Sequence, residues 1–145
     1  MTIPYVILAL TAAAYTGFGF ASAFWPEMMA RLTDIQLPTP TAKIDFAATY
    51  GGFELGLAGF LLLSLWRQTW LESGLWAGVL TLAGFAVVRL ISLISGNASV
   101  RPAIYLALAL ELCGVLLNLW GLWIMRRGVG SAARMAEPAG SPRST

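Results

Sequence analysis

The chain has 145 residues, 58% of them hydrophobic and 11% charged, with a formal net charge of +2 and a mean hydropathy of +0.74. A soluble globular domain carries about 25% charged residues, so this chain has too few to coat a water-facing surface. Scattered basic residues exclude a nucleic-acid face, the lack of histidine excludes imidazole-bound metals, and a lone cysteine, Cys113, excludes an intrachain disulfide.

Four runs reach the length of about 20 apolar residues that a membrane-crossing helix needs. They predict an all-α integral membrane four-helix bundle with spans at Ile3–Trp25, Phe46–Trp66, Leu75–Ser95 and Pro102–Met125. The first run closes at Trp25-Pro26, because proline cannot continue a helix and restricts its predecessor. Ala21-Ser22-Ala23 has the look of a cleavage site, but no basic residue precedes the run and the run is long. A retained span is expected.

The stretch from Pro26 to Lys43 opens with proline at a first helical position, and Glu27 and Arg31 stand four apart. It predicts a short helix along the membrane interface, then a proline-broken connector. Lys43, the single lysine, falls in that connector, so a Schiff base within the bundle is not expected, nor is any other cofactor. Asp45 opens the second span and is expected to cap its first turn at the positive end of the helix dipole, with a role in the polar site as the alternative. The second span ends at Trp66-Arg67, the third stops before Asn97-Ala98-Ser99, a sequon pattern, and the fourth runs into Arg126-Arg127. Residues 1–128 form the expected bundle, and 129–145 a flexible polar tail.

Four spans put both termini on one side. That side carries Arg67, Arg126, Arg127, Arg134 and Arg143, against Arg31, Lys43 and Arg101 on the other. The positive-inside tendency then places both termini in the cytoplasm.

Three charged groups fall within the spans: Glu54, Arg89 and Glu111. A charge near the bilayer centre costs about 2.5–3.5 kcal/mol, so such residues face the bundle interior and find partners. At a rise of about 1.5 Å per residue they lie roughly 12, 9 and 13 Å from the outer boundary. One shared layer is the expectation. Steps of three and four from Glu54 reach Tyr50, Gly51 and Ala58; those from Glu111 reach Ala107, Gly114 and Asn118; Arg89 shares a face with Phe85 and Ser92. Small residues on these strips let helices approach closely. Tyr50, Gly51, Asp45, Ser92 and Asn118 are therefore the candidate pocket residues around a Glu54–Arg89–Glu111 cluster. Tyr15 and Tyr105 stand either in that pocket or toward lipid.

The block Tyr50-Gly51-Gly52-x-Glu54-x-Gly56, the arginine late in span three and "LALELCGVLL" in span four carry a family resemblance. Over Ile3 to Arg127 the chain resembles the bacterial four-helix membrane family called domain of unknown function 4345, of the broader DoxX-like type. The resemblance implies a compact four-helix membrane domain and no established activity. The family pattern often has an arginine before the tyrosine-glycine block, where this chain has "DFAAT".

Several functions fit the residues. In one, Arg89 bridges both carboxylates and only fixes helix register, as in an accessory subunit of a larger complex. In another, two carboxylates against one guanidinium leave one acid to hold a proton, which suits binding, isomerising or protonating a lipid-soluble small molecule. In that reading Glu54 and Glu111 do the acid–base work and Arg89 anchors charge. A small proton-coupled transporter, built as a homo-oligomer with a path through Asn118, is the third. The lipid bilayer is the surrounding partner in all of them, and whether the chain is an enzyme is left open.

Overall fold

The computed structural model describes residues 2–96 and 101–136, and these are helical throughout apart from short turns, with no strand among the described residues. The first helix, α1 (Thr2–Phe24), ends where expected. Trp25 leaves helical geometry at φ −129° and ψ 57°, as a residue before proline should. Helix α2 (Pro26–Leu32) follows with its proline at the N-terminus. Asp34, at φ 59°, then reverses the chain in the left-handed region that Asp tolerates better than most residues. The Ile35 amide donates back to the Ala30 carbonyl at 2.9 Å, which folds the connector over the end of α2.

Helix α3 (Pro40–Trp66) begins earlier than the expected Phe46. Thr39 caps it by accepting a hydrogen bond from the Ala42 amide at 3.1 Å, and Pro40 supplies a preformed first turn. Asp45 therefore lies beyond the first turn and is exposed, not a cap. From Ala47 to Gly52 the helix widens into a π segment, a form that is often found at functional sites. Only Arg67 separates α3 from α4 (Gln68–Ser95), which starts well before Leu75 with a single tight turn, Gln68–Trp70. The Arg67 guanidinium sits 5.5 Å from the Trp70 ring centroid, a cation–π contact at this bend. The sequon at Asn97–Ser99 lies outside the described residues. Helix α5 (Pro102–Ala136) runs past the domain edge expected at 128, and residues 137–145 lie outside the described residues.

Glu27 forms an ion pair with Lys43, not with Arg31 four residues along its own helix. That ammonium holds the Glu27 carboxyl below its usual range. Arg101 pairs with Asp34 and donates to the Arg31 carbonyl at 3.3 Å. These contacts tie the connector to the ends of α3 and α5.

Four helices are long and apolar enough to cross a membrane. Helix α1 packs against α3, α4 and α5, while α3–α4 and α4–α5 complete the ring; α3 and α5 are the diagonal pair held apart. At the end that carries the termini the bundle is closed, with Leu8, Leu61, Leu75 and Leu122 buried together. Leu10, Leu80, Val88, Ile94, Leu110 and Leu116 point outward and are exposed, the apolar coat of a multi-pass membrane protein. Close approach relies on glycine at two places between α1 and α3. A Cβ on Gly51 would lie 2.7 Å from the Ala23 backbone, and one on Gly19 2.9 Å from the Glu54 Cβ.

Gly51→Ala must push α1 from α3 and is expected to lower stability by about 1–3 kcal/mol. Gly52→Ala meets nothing within 4 Å. It should be neutral or stabilising by up to about 1 kcal/mol. Unfolding of both variants in detergent checks the pair.

Candidate functional site

At the connector end the four helices do not close. A cavity of about 530 Å³ is lined by Tyr15 and Phe18 of α1, Tyr50 and Glu54 of α3, Leu82, Phe85 and Arg89 of α4, and Ala107 and Glu111 of α5. Thr33 and Ile35 of the connector also line it, so the segment after α2 forms one of its walls. The three intramembrane charges thus share one chamber.

Their pairing is unequal. Arg89 Nη2 donates to Glu111 Oε1 at 2.7 Å, and Arg89 Nε donates to both carboxylate oxygens at 3.1 and 3.2 Å. This forked contact joins α4 to α5, with the Arg89 side chain about one-quarter exposed and Glu111 nearly buried. Arg89 does not bridge to Glu54. The Glu54 residue is only 5% exposed, and its carboxyl has no hydrogen bond or ion pair among the described residues. Gly19 presses on its stem from α1, which leaves the acid group facing the chamber. Arg89 Nη1 likewise makes no protein hydrogen bond among the described residues.

Tyr15 is held in place across the cavity floor. Its hydroxyl donates to Thr81 Oγ1 at 2.8 Å, and Thr81 donates to the Ala77 carbonyl at 2.7 Å. A second hollow of about 750 Å³ runs on the outward side of α4 between Phe53, Leu80, Val88 and Ser92, and it shares Phe85, Arg89 and Ile104 with the chamber. These shared residues form the partition between an outward-facing groove and the charged interior.

The profile of a family described as a domain of unknown function (DUF4345) matches residues 4–122, a range that takes in every charged residue of the chamber. This chain belongs to that family. No curated protein and no solved structure matches it.

For this family member, the pocket residues expected from the sequence divide. Tyr50 lines the chamber with its ring 4.6 Å from that of Phe46. Gly51 does not; it is taken up by packing on Ala23. Ser92 lines the outer groove and donates to the Val88 carbonyl at 2.9 Å. Asn118 is fully buried away from the chamber, donating to Thr11 Oγ1 at 3.0 Å and the Gly114 carbonyl at 2.8 Å. Asp45 stays on the exposed side of α3. Gly51 and Glu54 both turn toward α1, Gly51 against Ala23 and the Glu54 stem against Gly19. Counting by threes thus finds the right face of α3, but Gly51 is closed off by helix packing there. Lys43 and Asp45 do not line the chamber, and Lys43 pairs with Glu27.

Tyr105 is exposed, whereas Tyr15 is inside. Thr81 was legible in principle, since Thr81, Phe85 and Arg89 recur at steps of four on one face. Nothing in the sequence pattern places Thr33 and Ile35 against the helices. Among the described residues no group of three or more His, Cys, Asp or Glu could hold a metal ion.

Breaking the α4–α5 pair leaves a charge without its partner. Arg89→Gln or Glu111→Gln should each cost about 3 kcal/mol, the lower end expected for a buried pair given the partial exposure of Arg89. The double variant Arg89→Met/Glu111→Leu should recover most of that loss. Denaturant titration of the three proteins in detergent measures it.

Proposed function

We propose that this protein holds a lipid-soluble small molecule in the chamber, with Glu54 as the group that exchanges a proton or a charge with it. One observation carries this reading: the carboxyl of a residue only 5% exposed faces an open volume and has no hydrogen bond or ion pair among the described residues. A side chain kept only for helix register would be expected to find a hydrogen-bonding partner, as Glu111 does. Arg89 and Glu111 neutralise each other and form a fixed polar wall, with Nη1 free to donate to an oxygen on the guest. The chamber lies within the usual range for single small-molecule sites, about 300–1,000 Å³. Its partition with the outer groove supports access from between the helices. The same geometry allows acid–base turnover of a bound guest, because a carboxyl without a competing partner is free to give or accept a proton. We place the protein in the inner membrane of a bacterium on its family resemblance, with both termini cytoplasmic on the basic-residue balance across the spans.

A path for protons through Asn118 is not favoured, since that side chain is sealed by packing roughly 10 Å beyond Glu111 along α5. The accessory-subunit reading accounts for Arg89 and Glu111 but gives Glu54 no role.

The test is to purify the wild type, Glu54→Gln and Ala107→Phe from native membranes and analyse solvent extracts by mass spectrometry. A guest molecule enriched over bulk lipid is expected in the wild type and reduced about tenfold or more in both variants, a loss of about 1.4 kcal/mol. Glu54→Gln removes no hydrogen bond among the described residues and should change stability by less than about 1 kcal/mol. Equal recovery of the guest from all three proteins, or none enriched in the wild type, overturns the reading.

A further inference from the structure

The chamber has an odd charge. Arg89 and Glu111 cancel through their forked contact, and the remaining ionisable lining groups are Tyr15, Tyr50 and Glu54. Phenols are neutral at ordinary pH, so the lining carries one excess carboxylate whenever Glu54 is ionised. An isolated carboxylate in an apolar setting requires a compensating cation. That cation is either a proton or a group on the guest.

The walls favour the second. Tyr15, Phe18, Tyr50 and Phe85 come from α1, α3 and α4 and surround the same volume as Glu54. Aromatic rings present a negative face, and quaternary or protonated amines are recognised by such rings together with a carboxylate. An anionic guest would meet two carboxylates against one guanidinium already engaged by Glu111. A neutral guest would leave Glu54 uncompensated unless it took up a proton. Access fits the same chemistry, because the partition at Phe85, Arg89 and Ile104 carries no net charge once Glu111 is counted.

We infer that the chamber is a site for a lipophilic monovalent cation, an amine on an apolar body, whose nitrogen pairs with Glu54 while its body lies among the aromatic rings and reaches toward the outer groove. The inference rests on the reading of the chamber as a ligand pocket and adds the charge of the guest.

Three probes with one chain length and different heads separate the possibilities: dodecyldimethylamine, protonated at neutral pH, 1-dodecanol and dodecanoate. Binding of each to the full chain in phosphatidylcholine nanodiscs is compared for the wild type, Glu54→Gln and Ala107→Phe, so that partition into lipid cancels. The amine should bind the wild type about tenfold or more tightly than either other probe. Glu54→Gln should lose at least that factor for the amine and leave 1-dodecanol unchanged, with the unliganded melting temperature retained. Ala107→Phe should weaken the amine as well. Equal binding of the three probes, a preference for dodecanoate, or an amine affinity indifferent to Glu54→Gln overturns the cation assignment. If the probes bind in those cases and Ala107→Phe still blocks them, the pocket itself stands. If no probe responds to Ala107→Phe, the pocket reading falls and the cation assignment with it.

Discussion

An arginine inside an apolar bundle must be matched where it stands, because water is not there to solvate it. Arg89 meets that demand with one carboxylate on the neighbouring helix, using Nε and Nη2 in a planar fork. The contact sets the height of α4 against α5, since a slip of one turn would strand both charges. It also decides the status of the other acid. With Glu111 committed to Arg89, Glu54 is the residue left over, and the chemistry available to the chamber follows from that remainder.

The bundle is built in two unlike halves. Toward the termini, large aliphatic side chains and small residues pack closely. The Asn118 amide nitrogen donates to Thr11 and Gly114, while its Oδ1 is buried with no hydrogen-bond partner among the described residues. Toward the connector, α3 and α5 stand apart and the space between them is bordered by polar and aromatic groups. Gly19 and Gly51 bring α1 onto α3, and the contact against Gly19 holds the stem of Glu54 in position. A closely packed half thus supports an open one. Such preorganisation matters for a carboxyl that is to meet a guest and not a protein partner.

The connector contributes more than linkage. Ion pairs from Lys43 to Glu27 and from Arg101 to Asp34 draw it across the bundle end, and Thr33 and Ile35 enter the chamber wall as a result. All these charges are exposed, so the pairs are weak individually and screened by salt. Their joint effect is positional, and the short helix α2 and the Asp34 reversal supply the geometry.

The pattern of residues alone determined the helical class, the four apolar spans and the family, and it singled out Glu54, Arg89 and Glu111, which line one chamber. Hydrophobic length and the expense of charge in lipid are local quantities, readable from composition and from a rise per residue. The partners of those charges were decided only by tertiary structure. Counting by threes and fours put Tyr50 and Gly51 on the side of Glu54, but only the packing of α1 on α3 decided that Tyr50 lines the chamber while Gly51 is closed against Ala23. Thr39 and Pro40 began α3 early for a capping reason that hydropathy does not weigh. Which carboxylate Arg89 would take, and that Tyr15 would reach Thr81, depended on interhelical distances that no spacing along one helix encodes.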